Sequence, residues 1–121
     1  MIIILFMQMF LRSTDMKLVI VVLNKIECLR DILKRFYEED LHATILNSTG
    51  LVHSLEDDEP HFLTSLRLLL DPARKESKTI LLMTEKENIP LIRRILEEET
   101  GGWSKPDTGI MCAVNIEEVD K

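Results

Sequence analysis

The sequence predicts an α+β fold: a four-stranded antiparallel sheet with two helices on one face. Three observations carry this expectation. Two apolar runs, residues 17–23 and 79–84, read as strands buried on both faces and central in a sheet. Each is followed by a helix-periodic segment, and the two segments share one spacing. Ile26, Leu29, Ile32 and Leu33 in the first match Ile89, Ile92, Ile95 and Leu96 in the second. Each helix then leads into another strand-like run, so the order is β-α-β, insertion, β-α-β.

The elements follow in order. "MIIILFMQMF" at the N-terminus is too short for a membrane span, and Arg12 comes after the apolar run, not before it as in a signal peptide. Met16 opens "MKLVIVVL", so the expected domain is 16–121. Residues 1–15 are read as an apolar extension that packs as an added strand or helix on the domain or on a partner subunit. After the first strand, Asn24 and Glu27 have the spacing of a capping box. The first helix then places Ile26, Leu29, Ile32, Leu33 and Phe36 on one face, with Lys34, Arg35, Glu38 and Glu39 mostly on a solvated one. Residues 41–49 read as the second strand, closed by Gly50.

The insertion begins polar and acidic, with "HSLEDDEP". Residues 60–71 then form a short extra helix whose apolar face is Phe62, Leu66, Leu69 and Leu70, stopped at Asp71-Pro72. Residues 74–78 read as a loop and 79–84 as the third strand. The second long helix covers 87–99, with Pro90 tolerated near its first turn. A loop containing three of the four glycines and the single tryptophan leads to a fourth strand, 109–116. Right-handed crossovers interleave two such units into one sheet with both helices on the same side, the ferredoxin-like βαββαβ arrangement. The other face has no helix to cover it, yet its strands are apolar, which points to oligomerisation through the sheet.

At 121 residues one domain is expected, and 45% hydrophobic residues suffice for one core. Aromatic residues are only 5%, so that core is mostly Leu, Ile and Val. A formal charge of -6 argues against a nucleic-acid module. Cys28 and Cys112 form no disulfide framework and no CxxC pair, and read as two reduced, buried thiols of a cytoplasmic protein. No GxSxG, Walker loop or HExxH motif is present, so no enzyme activity is expected. His42, His53 and His61, with "EDDE" at 56–59, lack compelling ligand spacing, and a solvated acidic loop is their ordinary reading.

"KLVIVVLNK", "STG" after the second strand and "PDTGIM…NIEEV" at the end resemble the PII-type nitrogen-regulatory signalling proteins and their PII-like relatives. The likeness runs over roughly residues 16–119 in element order. It implies a cytoplasmic homotrimer of ferredoxin-like subunits that binds adenine nucleotides (ATP, ADP or AMP) in inter-subunit clefts. It also implies a regulated protein partner, contacted here through residues 51–78. The loop "TGGWSKPDTGIM" is similar to the family's phosphate-contacting B-loop. Thr100, Gly101, Asp107 and Gly109 match it, and Gly102 and Lys105 join them as candidate ligand-binding residues. The family's B-loop lysine falls on Gly109, and its C-terminal basic residues have no counterpart. Tyr37, the single tyrosine, lies on the first helix, so uridylylation of the insertion is not expected.

Two readings of the loop stay open. It is a backbone cradle for an anion, or a corner with a glycine C-cap at Gly101 or Gly102 and a packed Trp103. Two other function classes stay beside the sensor: a metal-responsive trimer similar to the divalent-ion tolerance proteins, and a trimer that only scaffolds other proteins. A chain starting at Met16 is expected to stay folded and keep its oligomeric state. Thermal unfolding and gel filtration check this, and loss of either property makes residues 1–15 an integral element.

Overall fold

The computed structural model describes residues 15–50 and 76–120. The chain runs through β1 (Met16–Leu23), a 3₁₀ turn (Ile26–Cys28) leading into α1 (Leu29–Glu38), and β2 (Ala43–Ser48). After the insertion come β3 (Ser77–Glu85), a second 3₁₀ turn (Lys86–Asn88) leading into α2 (Ile89–Thr100), and β4 (Gly109–Asn115). The strands form one sheet in the order β2-β3-β1-β4, antiparallel throughout. This is the ferredoxin-like α+β topology expected from the element order, with the two apolar runs as its central strands.

Alternation along the strands sorts side chains onto two faces. On one face Val19, Val21 and Leu23 of β1 and Ile80 and Leu82 of β3 are fully buried. Ile32 and Phe36 of α1 and Ile92, Ile95 and Leu96 of α2 complete the core with them, and Leu41 closes its rim. The register pairs Val19 with Leu82 and Val21 with Ile80, so these residues form continuous rungs under the helices. Only Phe36 among them is aromatic, as the composition requires.

The opposite face has rungs of its own. Leu46, Thr79, Val22 and Ile110 lie across the sheet in one row, and Thr44, Leu81, Ile20 and Cys112 in the next. β1 is half-buried on this side, while Met83 (58% exposed), Ile110 (69%), Leu46 and Val114 are open. Double-sided burial of the central strands is therefore incomplete within the described residues.

Several local expectations are corrected. Asn24 and Glu27 make no capping box: the helix entry is a 3₁₀ turn and no side chain caps either Lys25 or Cys28. The Asn24 carbonyl instead accepts the Ile26 N–H at 3.0 Å, which tightens the turn before the α-helical ladder starts. Ile26, expected on the apolar face, lies in that turn and is exposed. Arg35 does not stand free in solvent. Its guanidinium donates to Glu98 at 2.8 Å and Glu99 at 3.3 Å, tying α1 to α2, and the Glu98 hydrogen bond holds it above its ordinary pKa. β3 starts at Ser77, so Ser77 and Lys78 belong to the strand and not to a loop. β2 is shorter than expected, because Leu41 is held in the preceding turn by its N–H on the Phe36 carbonyl. Cys112 is exposed on the open face and Cys28 is half-buried, so the thiols are not both interior. Pro90 sits in the first turn of α2, where no N–H is needed. The expected helix at 60–71 and the acidic run at 56–59 lie outside the described residues, as does nearly all of the 1–15 extension.

Leu82→Ala removes a fully buried side chain from the centre of the helix-facing layer. It is expected to cost about 2–5 kcal/mol in denaturant unfolding. Met83→Ala, one residue along on the open face, is expected to cost clearly less.

Candidate functional site

The loop after α2 is fastened to the turn after β1. The Thr108 carbonyl accepts the N–H of Asn24 at 2.9 Å and of Lys25 at 3.3 Å. The Lys25 ammonium donates to the Thr100 carbonyl at 3.0 Å, placing a cation at the negative end of the α2 dipole. Between the two segments lies a cleft of about 360 Å³, lined by Asn24, Lys25, Glu27, Lys105, Pro106, Asp107 and Thr108. That volume is near the lower end of small-ligand sites, about 300–1,000 Å³.

The predicted site residues divide into two groups. Lys105 and Asp107 line the cleft. Thr100, Gly101, Gly102 and Gly109 shape the loop behind it. Thr100 is buried and its hydroxyl donates to the Leu96 carbonyl at 2.6 Å. Gly101 is the left-handed C-cap of α2, with φ 74°. Gly102 also has positive φ, and a Cβ there would meet the Lys105 side chain at 2.9 Å. The Lys105 N–H closes the turn on the Gly102 carbonyl at 3.2 Å.

Gly109 has a steric reason. A Cβ there would stand 2.4 Å from the Val22 carbonyl oxygen and 2.5 Å from Trp103 Cη2. The indole therefore lies against the start of β4, half-buried on the core, and its backbone N–H donates to Glu97 at 2.8 Å. Trp103 packs as the corner reading expects, while the cleft beside Lys105 stays open.

The sequence reading missed Asn24, Lys25, Glu27, Pro106 and Thr108 as cleft residues. Their local pattern signals a turn or a cap. Only the sheet, by pairing β1 with β4, brings them to one place. For the metal alternative, no group of three His, Cys, Asp or Glu side chains gathers among the described residues. His42 is exposed, with Nε2 3.5 Å from Asp40 Oδ1. His53 and His61 lie outside the described residues.

Gly109→Val is expected to lower the melting temperature regardless of ligand, because carbonyl and indole both occupy the space a side chain needs. Gly101→Ala meets no atom, yet imposes left-handed geometry on a Cβ, at about 1–2 kcal/mol. Chemical unfolding of both variants with and without ATP checks this ordering. A Gly109 variant as stable as the parent contradicts it.

No protein-family model matches the chain, and no curated protein matches it. Among the described residues, no helix is long and apolar enough to cross a membrane. Solved structures do share the fold. A functionally unknown protein from Pediococcus pentosaceus superposes with a TM-score of 0.61 at 13% identity, over 90% of this chain and 99% of that one. A DUF3240 family protein from Shewanella baltica gives 0.61 at 13% identity, over 88% and 96%. The periplasmic divalent cation tolerance protein CutA from Archaeoglobus fulgidus gives 0.50 at 15% identity, over 88% of each chain. At these identities the likeness is one of fold: the chain is similar to these proteins in its ferredoxin-like architecture.

Proposed function

We propose that the chain is the subunit of a PII-like homotrimer, a regulatory protein that senses a small anion or adenine nucleotide and does not catalyse. The ligand sits beside the 105–108 loop, in a cleft that a neighbouring subunit completes. A partner protein reads the bound state through residues 51–78. One observation carries this reading: the fold brings Lys25 and Lys105, distant in sequence, to the same open cleft. The start of the helical run lies there too. No side chain caps that start, and the N-terminal end of a helix favours an anion.

The two lysines have different duties. Lys25 is engaged with the Thr100 carbonyl and is a structural cation. Lys105 is exposed and serves as a point charge for a phosphate, its effect screened by salt.

Calorimetry with ATP, ADP and AMP tests the reading. Binding of one of them is expected, weakened by Lys105→Ala, with a larger loss at low salt than at high salt. If none binds at millimolar concentration, the loop is a corner and not a cradle. The metal-responsive alternative draws support from the shared fold with a protein named for divalent cation tolerance. Titration with Cu²⁺ or Zn²⁺, followed through Trp103 fluorescence, separates it from the nucleotide reading.

A further inference from the structure

Both lysines of the cleft also lean on the end of α2. The Lys25 ammonium donates to the Thr100 carbonyl at 3.0 Å. The stem of Lys105 lies over Gly102, where an added Cβ would meet its Cε at 2.9 Å and its Cδ and Cγ at 3.1 Å. Thr100 and Gly102 are buried, while Gly101 between them is exposed. We infer that the two lysines form a clasp on this helix end, and that an anion seated in the cleft opens the clasp by drawing both ammonium groups to itself. The inference rests on the anion-sensing reading of the cleft and gives that site a conformational output, the loosening of residues 100–104.

The change of acceptor favours the anion. The Thr100 carbonyl is neutral and shares the roughly half charge at the C-terminal end of the helix dipole. A phosphate or carboxylate carries a full charge or more, so an ammonium gains more by turning to it. Glu27 and Asp107 line the same cleft, but they are exposed carboxylates, whose pull on a lysine is worth little. An anion enclosed by a neighbouring subunit escapes that screening and meets both lysines at once.

The backbone permits the movement. The loop is fastened to the turn after β1 by main-chain groups, the Asn24 and Lys25 N–H on the Thr108 carbonyl. The Lys25 side chain can therefore change partner while its backbone holds still. Gly101 and Gly102 both have positive φ, 74° and 139°, and glycine moves among backbone conformations at little steric cost. These two residues are the hinge. Trp103 follows directly, its N–H on Glu97 at 2.8 Å and its indole against Gly109, so motion of the hinge reaches the indole.

Hydrogen exchange of the full chain tests the clasp, read over residues 97–104 together with Trp103 emission. AMP, ATP and inorganic pyrophosphate are the probes. At saturation, exchange over 97–104 is expected to rise by about tenfold or more, the scale of one charge-assisted hydrogen bond in a local opening. Exchange in β1 and β3 is expected not to rise. Lys25→Met keeps the length of the side chain and removes its charge. Its 97–104 exchange is expected to be high before any anion is added and to rise no further afterwards. Lys25→Arg is expected to restore the anion-dependent rise, and circular dichroism verifies the fold of both variants. An anion that binds the parent chain and leaves 97–104 exchange unchanged or slower overturns the clasp, while the sensing reading stands. Slow exchange in anion-free Lys25→Met overturns the clasp as well. If none of the three probes binds at millimolar concentration, the clasp and the sensing reading fall together.

Discussion

Both helices lie on the same side of a single sheet, and the rest of the molecule follows from that constraint. β1 is apolar at every position but Lys17, and β3 is apolar over 80–83, yet only alternate side chains meet the helices. Val19, Val21, Leu23, Ile80 and Leu82 are therefore sealed, while the other face leaves Met83 of β3 and Ile110 and Val114 of β4 at the surface. A sheet whose second face is apolar has a standing drive to bury it, because removal of that surface from water is favourable in proportion to its area. Natural edge strands are usually blunted by charge. Here β4 offers Ile110, Met111, Cys112, Ala113 and Val114 in succession, so its sequence is compatible with cover by another chain.

The same topology makes the cleft. β1 and β4 are neighbours, so the turn leaving one and the loop entering the other must meet at one end of the sheet. The Thr108 carbonyl and the Lys25 ammonium hold that meeting point together. Trp103 is wedged on Gly109, next to the strand whose outward residue is Ile110. Any displacement of the 105–108 loop by a ligand is thus passed to the first residues of β4. In the proposed reading, this contact is what would link a ligand in the cleft to the open sheet face.

Much of the fold was legible because its signals are local. The run 17–23 and the repeated spacing of Ile26 to Leu33 and Ile89 to Leu96 announce strand and helix without tertiary knowledge. A C-cap at Gly101 or Gly102 was readable for the same reason, because a helix ended and two glycines followed, and the cap is Gly101. The helix entries were not legible. Asn24 and Glu27 fit a capping box, but the Thr108 carbonyl takes the Asn24 N–H and a 3₁₀ turn replaces the box. Arg35 looked like a solvated charge because its partners, Glu98 and Glu99, lie on the other helix. Gly109 read as part of a phosphate loop, and its crowding by Val22 and Trp103 could not be seen in a string of residues. Most of the cleft was missed, because Asn24, Lys25 and Glu27 meet the Lys105 loop only through non-local strand pairing.

The central claim is that the apolar open face is buried by copies of the same chain. Sedimentation equilibrium at micromolar concentration addresses it most directly, because it yields mass without a shape assumption. The account predicts the mass of three chains, with Ile20→Asp, a charge set into the middle of that face, reducing it to one. A parent chain that sediments as a single-chain species at the same concentration would contradict the account, and with it the cleft that a second subunit is needed to complete.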